Sequence, residues 1–80
     1  MKLVFTARAE QDYDRLSSKM RAQADKQLDF LVHNLRHPSL HAKKYDERRD
    51  IWQARISRDY RVFFLIANDI YVLLALMKHP

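Results

Sequence analysis

Three arginines, Arg55, Arg58 and Arg61, stand three residues apart in the stretch DIWQARISRDYRVFFLI, residues 50 to 66, among aromatic and β-branched side chains. A short, half-buried strand pair gains nothing in packing from guanidinium groups, so their value must lie in what they bind. A planar guanidinium fork can hold two phosphate oxygens at once, which the point charge of a lysine cannot. From Lys43 to Arg61 there are seven basic residues against four acidic ones, Asp46, Glu47, Asp50 and Asp59, and the whole chain carries a formal charge of +5. That balance points to phosphate backbones or acidic protein segments as partners, and to the second half of the chain as the binding face. Structural roles compete with this reading. Arg61 could pair with Asp59 or Asp50 at a strand edge, and Arg55 and Arg58 could form a solvated charged edge that discourages strand pairing.

Other chemistries are narrowed by what the chain lacks. With no glycine, a phosphate-cradling loop or dinucleotide fingerprint is excluded, and with no cysteine neither a disulfide framework nor a thiolate zinc site can form. His33, His37 and His41 are spaced by four, a metal-ligand spacing on a helix, but Pro38 breaks the helix between the second and the third. The most apolar run, VFFLIANDIYVLLALM, is interrupted by Asn68 and Asp69 and rich in β-branched residues, so it predicts two strands and no membrane span. No signal-peptide pattern opens the chain, and the expected location is the cytoplasm.

The elements that must position these residues fit one small domain, residues 1 to 80, since a chain of this size buries only about 60% of its unfolded surface and supports a single core. KLVF predicts a first strand, ended by Thr6 as an N-cap. Ala9, Tyr13 and Leu16 then recur at helical spacing, and Ser17-Ser18 offers a break and a second cap. Met20, Ala24, Leu28, Leu31 and Leu35, widened by Val32, form the stripe of a second helix that Pro38 stops. Residues 37 to 50 are expected as a polar loop. Strands follow over about residues 50 to 57, 60 to 67 and 70 to 78, with turns near Arg58-Asp59 and at Asn68-Asp69, where Asn and Asp supply the positive φ that glycine would otherwise provide. The order β-α-α-β-β-β is that of an α+β domain: a small, mainly antiparallel sheet with a helical hairpin on one face. Both alternating sets of the last strands are apolar, so the second face of the sheet also needs a cover, and a bound partner is one way to supply it.

The element order, the size, and IWQARISRDYRVFF followed by a strand ending in LMKHP resemble the RelE/ParE superfamily of type II toxin-antitoxin toxins. The pattern W-x-x-R-[IV]-x-x-[DE]-[YH]-R-[VL]-x-[FY] is similar to that of the YoeB and RelE branches in particular. The resemblance implies a RelE-like fold and a ribosome-dependent mRNA endonuclease that works without metal or cofactor. In that chemistry the 2′-hydroxyl beside the scissile bond attacks phosphorus and the 5′-oxygen leaves. The partners it implies are the ribosome with its mRNA, and an antitoxin whose acidic, partly disordered segment wraps the basic face and through which alone operator DNA would be met. Two alternatives stay open on the same scaffold: a ParE-like inhibitor of DNA gyrase, and a module that binds RNA or antitoxin without activity.

Residue by residue, the resemblance makes Arg61 the phosphate-holding strand arginine and His79 the donor of a proton to the leaving oxygen, a task suited to an imidazole. Arg55 and Arg58 would clamp phosphates, with Lys43 and Lys78 as further RNA contacts, and Tyr60 would either stack on a base or belong to the core. The base is missing. The glutamate of the YoeB branch falls at Ala42 here and the two strand lysines of RelE at Trp52 and Ala54. Candidates by position are Lys43, Lys44, Glu47 and His41, with Lys44 or Glu47 preferred. Register decides one further point. A two-residue turn at Asn68-Asp69 pairs Arg61 with Leu76 and puts Lys78 on the Arg61 face, whereas a three-residue turn or a bulge puts His79 there.

Overall fold

The computed structural model describes residues 1–79. In chain order it contains β1 (Lys2–Phe5), α1 (Ala7–Asp14), α2 (Ser18–His33), a 3-10 turn (Pro38–Leu40), β2 (Lys43–Asp46), β3 (Ile51–Arg55), β4 (Tyr60–Ala67) and β5 (Ile70–Lys78). The five strands form one sheet in the order β1-β5-β4-β3-β2. Only β1 runs parallel to its neighbour, β5, and the other three pairings are antiparallel. This is the expected α+β arrangement with one strand more than the sequence suggested.

Each helix begins where a side chain can take up an orphan amide. The Thr6 hydroxyl accepts from the Ala9 N–H at 3.2 Å, and the Ser17 hydroxyl accepts from the Met20 N–H at 3.1 Å. The hairpin is tied across its two arms by the Tyr13 hydroxyl, which donates to Asp25 Oδ1 at 2.7 Å. Ala9, Leu16, Ala24, Leu28 and Leu31 of the hairpin pack on Ala54, Val62, Phe64, Tyr71, Leu73 and Leu76 of the sheet, with Leu40 of the 3-10 turn and Ile56 of the β3–β4 loop, and this is the core. Full burial of a side chain such as Leu31, Phe64 or Leu73 is worth about 1.5–3 kcal/mol relative to exposure, so the stripe read from α2 accounts for much of what holds the layers together.

Two expectations are corrected. The polar loop over residues 37 to 50 holds the 3-10 turn and the edge strand β2, which pairs Lys43 with Gln53 and Lys44 with Trp52. Its four residues, KKYD, carry no apolar alternation, and lysines on an edge strand blunt the unpaired rim of a sheet. The strand expected over residues 50 to 57 is also shorter, because Ile56 and Ser57 turn their N–H groups onto the Tyr60 carbonyl to close the β3–β4 loop.

The β4–β5 hairpin has both a two-residue turn and a bulge. The turn is the two-residue one, with Ala67 opposite Ile70 and Asn68 at φ 57. The register then shifts between Phe63 and Phe64: Phe64 lies opposite Leu73 but Phe63 opposite Ala75, so that Leu74 is the extra residue of a bulge. Groups from the neighbourhood of α1 hold that bulge. Thr6 Oγ1 donates to the Leu73 carbonyl at 2.8 Å, and the Asp12 carboxylate accepts from the Leu76 N–H at 3.0 Å. Beyond the bulge Arg61 is opposite Met77 instead of Leu76.

Candidate functional site

On the outer face of the sheet, away from the helices, the bulge has a direct consequence. With Arg61 opposite Met77 and Tyr60 opposite Lys78, alternation puts His79 on the Arg61 side and Lys78 on the other. Arg55 is the cross-strand partner of Arg61 on β3, and Lys43 is opposite Gln53 one strand further. These side chains line a groove of about 390 Å³ together with His41, Ala42 and Ala54. Among the described residues no carboxylate contributes to its wall. A groove bounded by two guanidinium groups, an ammonium group and two imidazoles suits an anion, and phosphate oxygens above all.

Arg61 is the second residue of β4, half-buried, and one of its nitrogens is engaged at the β3–β4 turn. Nη1 donates to the carbonyls of Ser57 at 2.8 Å, Tyr60 at 3.0 Å and Arg58 at 3.3 Å. Among the described residues neither Asp59 nor Asp50 forms an ion pair with it, and Asp50 is instead paired with Lys44. The turn thus fixes one corner of the fork and leaves the rest of the guanidinium edge to the groove. His79 follows the last residue of β5 and is fastened by its N–H to the Asp59 carbonyl, in the same turn.

The remaining sequence candidates lie elsewhere. Lys44 alternates to the helix side of β2, where its ammonium stands 5.3 Å from the centre of the Trp52 ring and pairs with Asp50. That pairing holds its pKa above the usual lysine value, the hydrogen bond to Asp50 outweighing partial desolvation. A lysine so held is a poor proton acceptor. Glu47 is exposed in the β2–β3 turn, Arg58 is exposed in the β3–β4 turn, and neither reaches the groove wall. Tyr60 packs against the core beneath the sheet, which leaves its ring no open face toward the groove. Lys78 is exposed on the opposite side.

Two groove residues stood low or absent in the sequence reading. Gln53 is brought in only by its register with Lys43 and Phe63. His41 ends the 3-10 turn in a left-handed conformation, φ 47 and ψ 43, one of three positive-φ residues among those described, beside Asp50 and Asn68. Its segment is anchored on both sides. Leu40 is buried in the core, and the buried Gln27 amide of α2 donates to the Ser39 carbonyl at 3.2 Å and the Arg55 carbonyl at 2.9 Å. His33 and His37 do not join His41: His33 faces Asp29 on α2, and His37 stacks on Phe30 with ring centres 3.8 Å apart. Among the described residues no group of three or more potential ligands could hold a metal ion, and no helix is long and apolar enough to cross a membrane.

Residues 3–79 match the family model described as ParE toxin of type II toxin-antitoxin system, parDE, and the chain belongs to this family within the RelE/ParE superfamily. Among curated proteins none matches it. Its fold is similar to that of a YoeB/ParE toxin from Agrobacterium tumefaciens, at 16% identity and a TM-score of 0.83, with 100% of both chains covered. The YoeB dimer from Staphylococcus aureus aligns at 15% identity and a TM-score of 0.81, covering 100% of this chain and 98% of that one. A chain of the intact E. coli RelBE toxin-antitoxin complex aligns at 20% identity and a TM-score of 0.75, covering 98% and 95%.

Proposed function

We propose that this toxin is a ribosome-dependent mRNA endonuclease that arrests translation in the cytoplasm. The observation that carries the reading is the bulge at Leu74, which brings His79 to the groove that Arg61, Arg55 and Lys43 make cationic. A groove built only to hold an anion needs no imidazole at its mouth; one that breaks a phosphodiester needs a proton donor at the leaving oxygen.

In the proposed reaction the mRNA 2′-oxygen bonds to the adjacent phosphorus and the P–O5′ bond breaks. The products are a 2′,3′-cyclic phosphate and a free 5′-hydroxyl. The Arg61 edge not engaged by the turn, with Arg55, holds the non-bridging oxygens as charge builds on the phosphorane. The His79 imidazolium gives its proton to O5′. Lys43 contacts flanking phosphate, and the ribosome supplies the alignment that a shallow groove on an 80-residue chain cannot. The test is addition of the toxin to ribosomes programmed with a defined mRNA, with Arg61→Lys and His79→Ala in parallel, and mapping of new 5′ ends.

The natural partner in this reading is an antitoxin. The E. coli relative is described in complex with one. Here Val4, Tyr45 and Met77 stand 46%, 61% and 40% exposed on the outer sheet face. An extended segment with apolar residues for the sheet and carboxylates for Arg55, Arg61 and Lys43 fits both parts, and operator DNA would be met only through it. One observation favours a second reading: the family model over residues 3–79 is that of ParE, and inhibition of DNA gyrase on this scaffold would need binding alone. Loss of supercoiling activity by purified gyrase, with mRNA left intact on ribosomes, would select it.

A further inference from the structure

We infer that His41 is the general base of the proposed cleavage, the group that takes the 2′-hydroxyl proton. The inference rests on the endonuclease reading and fills the place that sequence comparison left empty at Ala42, Trp52 and Ala54. Arginine and lysine side chains offer only donors, and the amide of Gln53 is no base, so of the groove-lining residues His41 and His79 alone carry a nitrogen lone pair. The positions preferred from sequence do not compete, because Lys44 is turned to the Trp52 side and paired with Asp50, and Glu47 lies in the β2–β3 turn.

The backbone supplies an independent argument. His41 adopts φ 47 and ψ 43 at the end of the 3-10 turn, a conformation that asparagine and glycine take more easily. The other two positive-φ positions, Asp50 and Asn68, carry the residue types that turn geometry favours. A residue with a Cβ holds this conformation at a cost that glycine would avoid, and here that cost falls at a groove-lining position, as happens where a group is needed at a set place. The segment is also pinned. Leu40 is sunk in the core, and Gln27 donates to the Ser39 carbonyl and to the carbonyl of Arg55 at the end of β3.

The proton count closes without a co-reactant. Neutral His41 takes the proton from O2′ as the O2′–P bond forms. Protonated His79 gives a proton to O5′ as the P–O5′ bond breaks. The enzyme is left with imidazolium at His41 and imidazole at His79, and exchange with water restores the starting state. Arg55, Arg61 and Lys43 line the same groove and take no part in the proton transfers.

His41→Gly separates this role from a structural one, since glycine is at home in the left-handed conformation and leaves a gap that free imidazole can enter. The variant is expected to keep the melting temperature within a few degrees, to bind ribosomes as the parent does, and to cleave programmed mRNA about 10²–10⁴-fold more slowly. Added imidazole should then raise its rate in proportion to concentration, but not the rate of Arg61→Lys. Should His41→Gly not fold, His41→Asn keeps a residue tolerant of positive φ and is expected to show the same loss of rate. Cleavage by either variant within a few-fold of the parent overturns the role of His41 and leaves the endonuclease reading standing. A slowed His41→Gly that imidazole does not restore makes His41 a contact or a spacer and also overturns it. A parent protein that leaves ribosome-bound mRNA intact removes the endonuclease reading and this inference together.

Discussion

Gln27 is the one buried polar side chain among the described residues, 3% exposed, and its replacement by leucine should separate the groove from the rest of the fold. The amide donates to the Ser39 and Arg55 carbonyls and its oxygen accepts from the Ser39 hydroxyl at 3.3 Å. Leucine fills a similar volume but leaves two carbonyls beneath the groove without a donor, each costing about 1–3 kcal/mol, partly offset by the more apolar side chain. A net loss of about 2–4 kcal/mol is expected, a large share of the roughly 5–15 kcal/mol that holds a small domain together. For a domain of this size that lowers the melting temperature by about 10–25 °C. Urea titration of Gln27→Leu followed by circular dichroism measures it. Leu16→Ala, a cavity between hairpin and sheet of comparable cost, serves as the control. Well below both melting temperatures Gln27→Leu should cleave at least about tenfold more slowly, as a 1.4 kcal/mol misplacement would give, and Leu16→Ala at the parental rate. A stability change under about 1 kcal/mol, or equal rates in the two variants, would refute the argument that Gln27 holds the His41 segment in place.

Further outcomes follow from the same contacts. Asp12→Ala removes the acceptor of the Leu76 N–H beside the bulge and should cost about 1–3 kcal/mol, with faster hydrogen exchange of the Leu76 amide as the local readout. Arg61→Lys keeps the charge but not the fork. It should abolish growth arrest on expression and lower stability by about 1–2 kcal/mol, because the carbonyls of Ser57 and Tyr60 lose a donor, as thermal melting will show. Tyr13 titrates above its usual 10.0, first because its hydroxyl donates to Asp25 and then through partial burial. The folded form therefore keeps a proton that the unfolded chain releases, so this contribution is complete below pH 10.0 and is lost as pH rises through the folded value. Tyr13→Phe should flatten the alkaline fall in urea midpoint without abolishing it, because burial raises Tyr71 with the same sign.

What could be read from the sequence is what depends on near neighbours. Thr6 and Ser17 announce their helices because a cap acts within three residues, and the stripe on α2 names the buried face because 3.6 residues make a turn. Asn68 marks its hairpin for a similarly local reason. Strand β2 was hidden because KKYD becomes a strand only when Ile51–Arg55 is beside it. The placement of His79 was legible only as an alternative, since it turns on one extra residue, Leu74, held in the bulge by Thr6 and Asp12, more than sixty residues away in the chain. The same distance between sequence and register explains the candidate base. Lys43 and Lys44 are neighbours in the chain but lie on opposite faces of the sheet, and only the pairing of β2 with β3 decides which one meets Arg61. The arginines themselves stood out because a guanidinium has no packing reason to recur through a strand pair.

The most direct test of the central claim is the mapping of RNA 5′ ends after purified toxin is added to ribosomes stalled on a defined mRNA. Cuts are expected only in the A-site codon, with 5′-hydroxyl and cyclic-phosphate ends, no cutting of free RNA, and no cutting by Arg61→Lys. Intact mRNA on toxin-loaded ribosomes, or cutting that persists when Arg61 and His79 are both replaced, would contradict it.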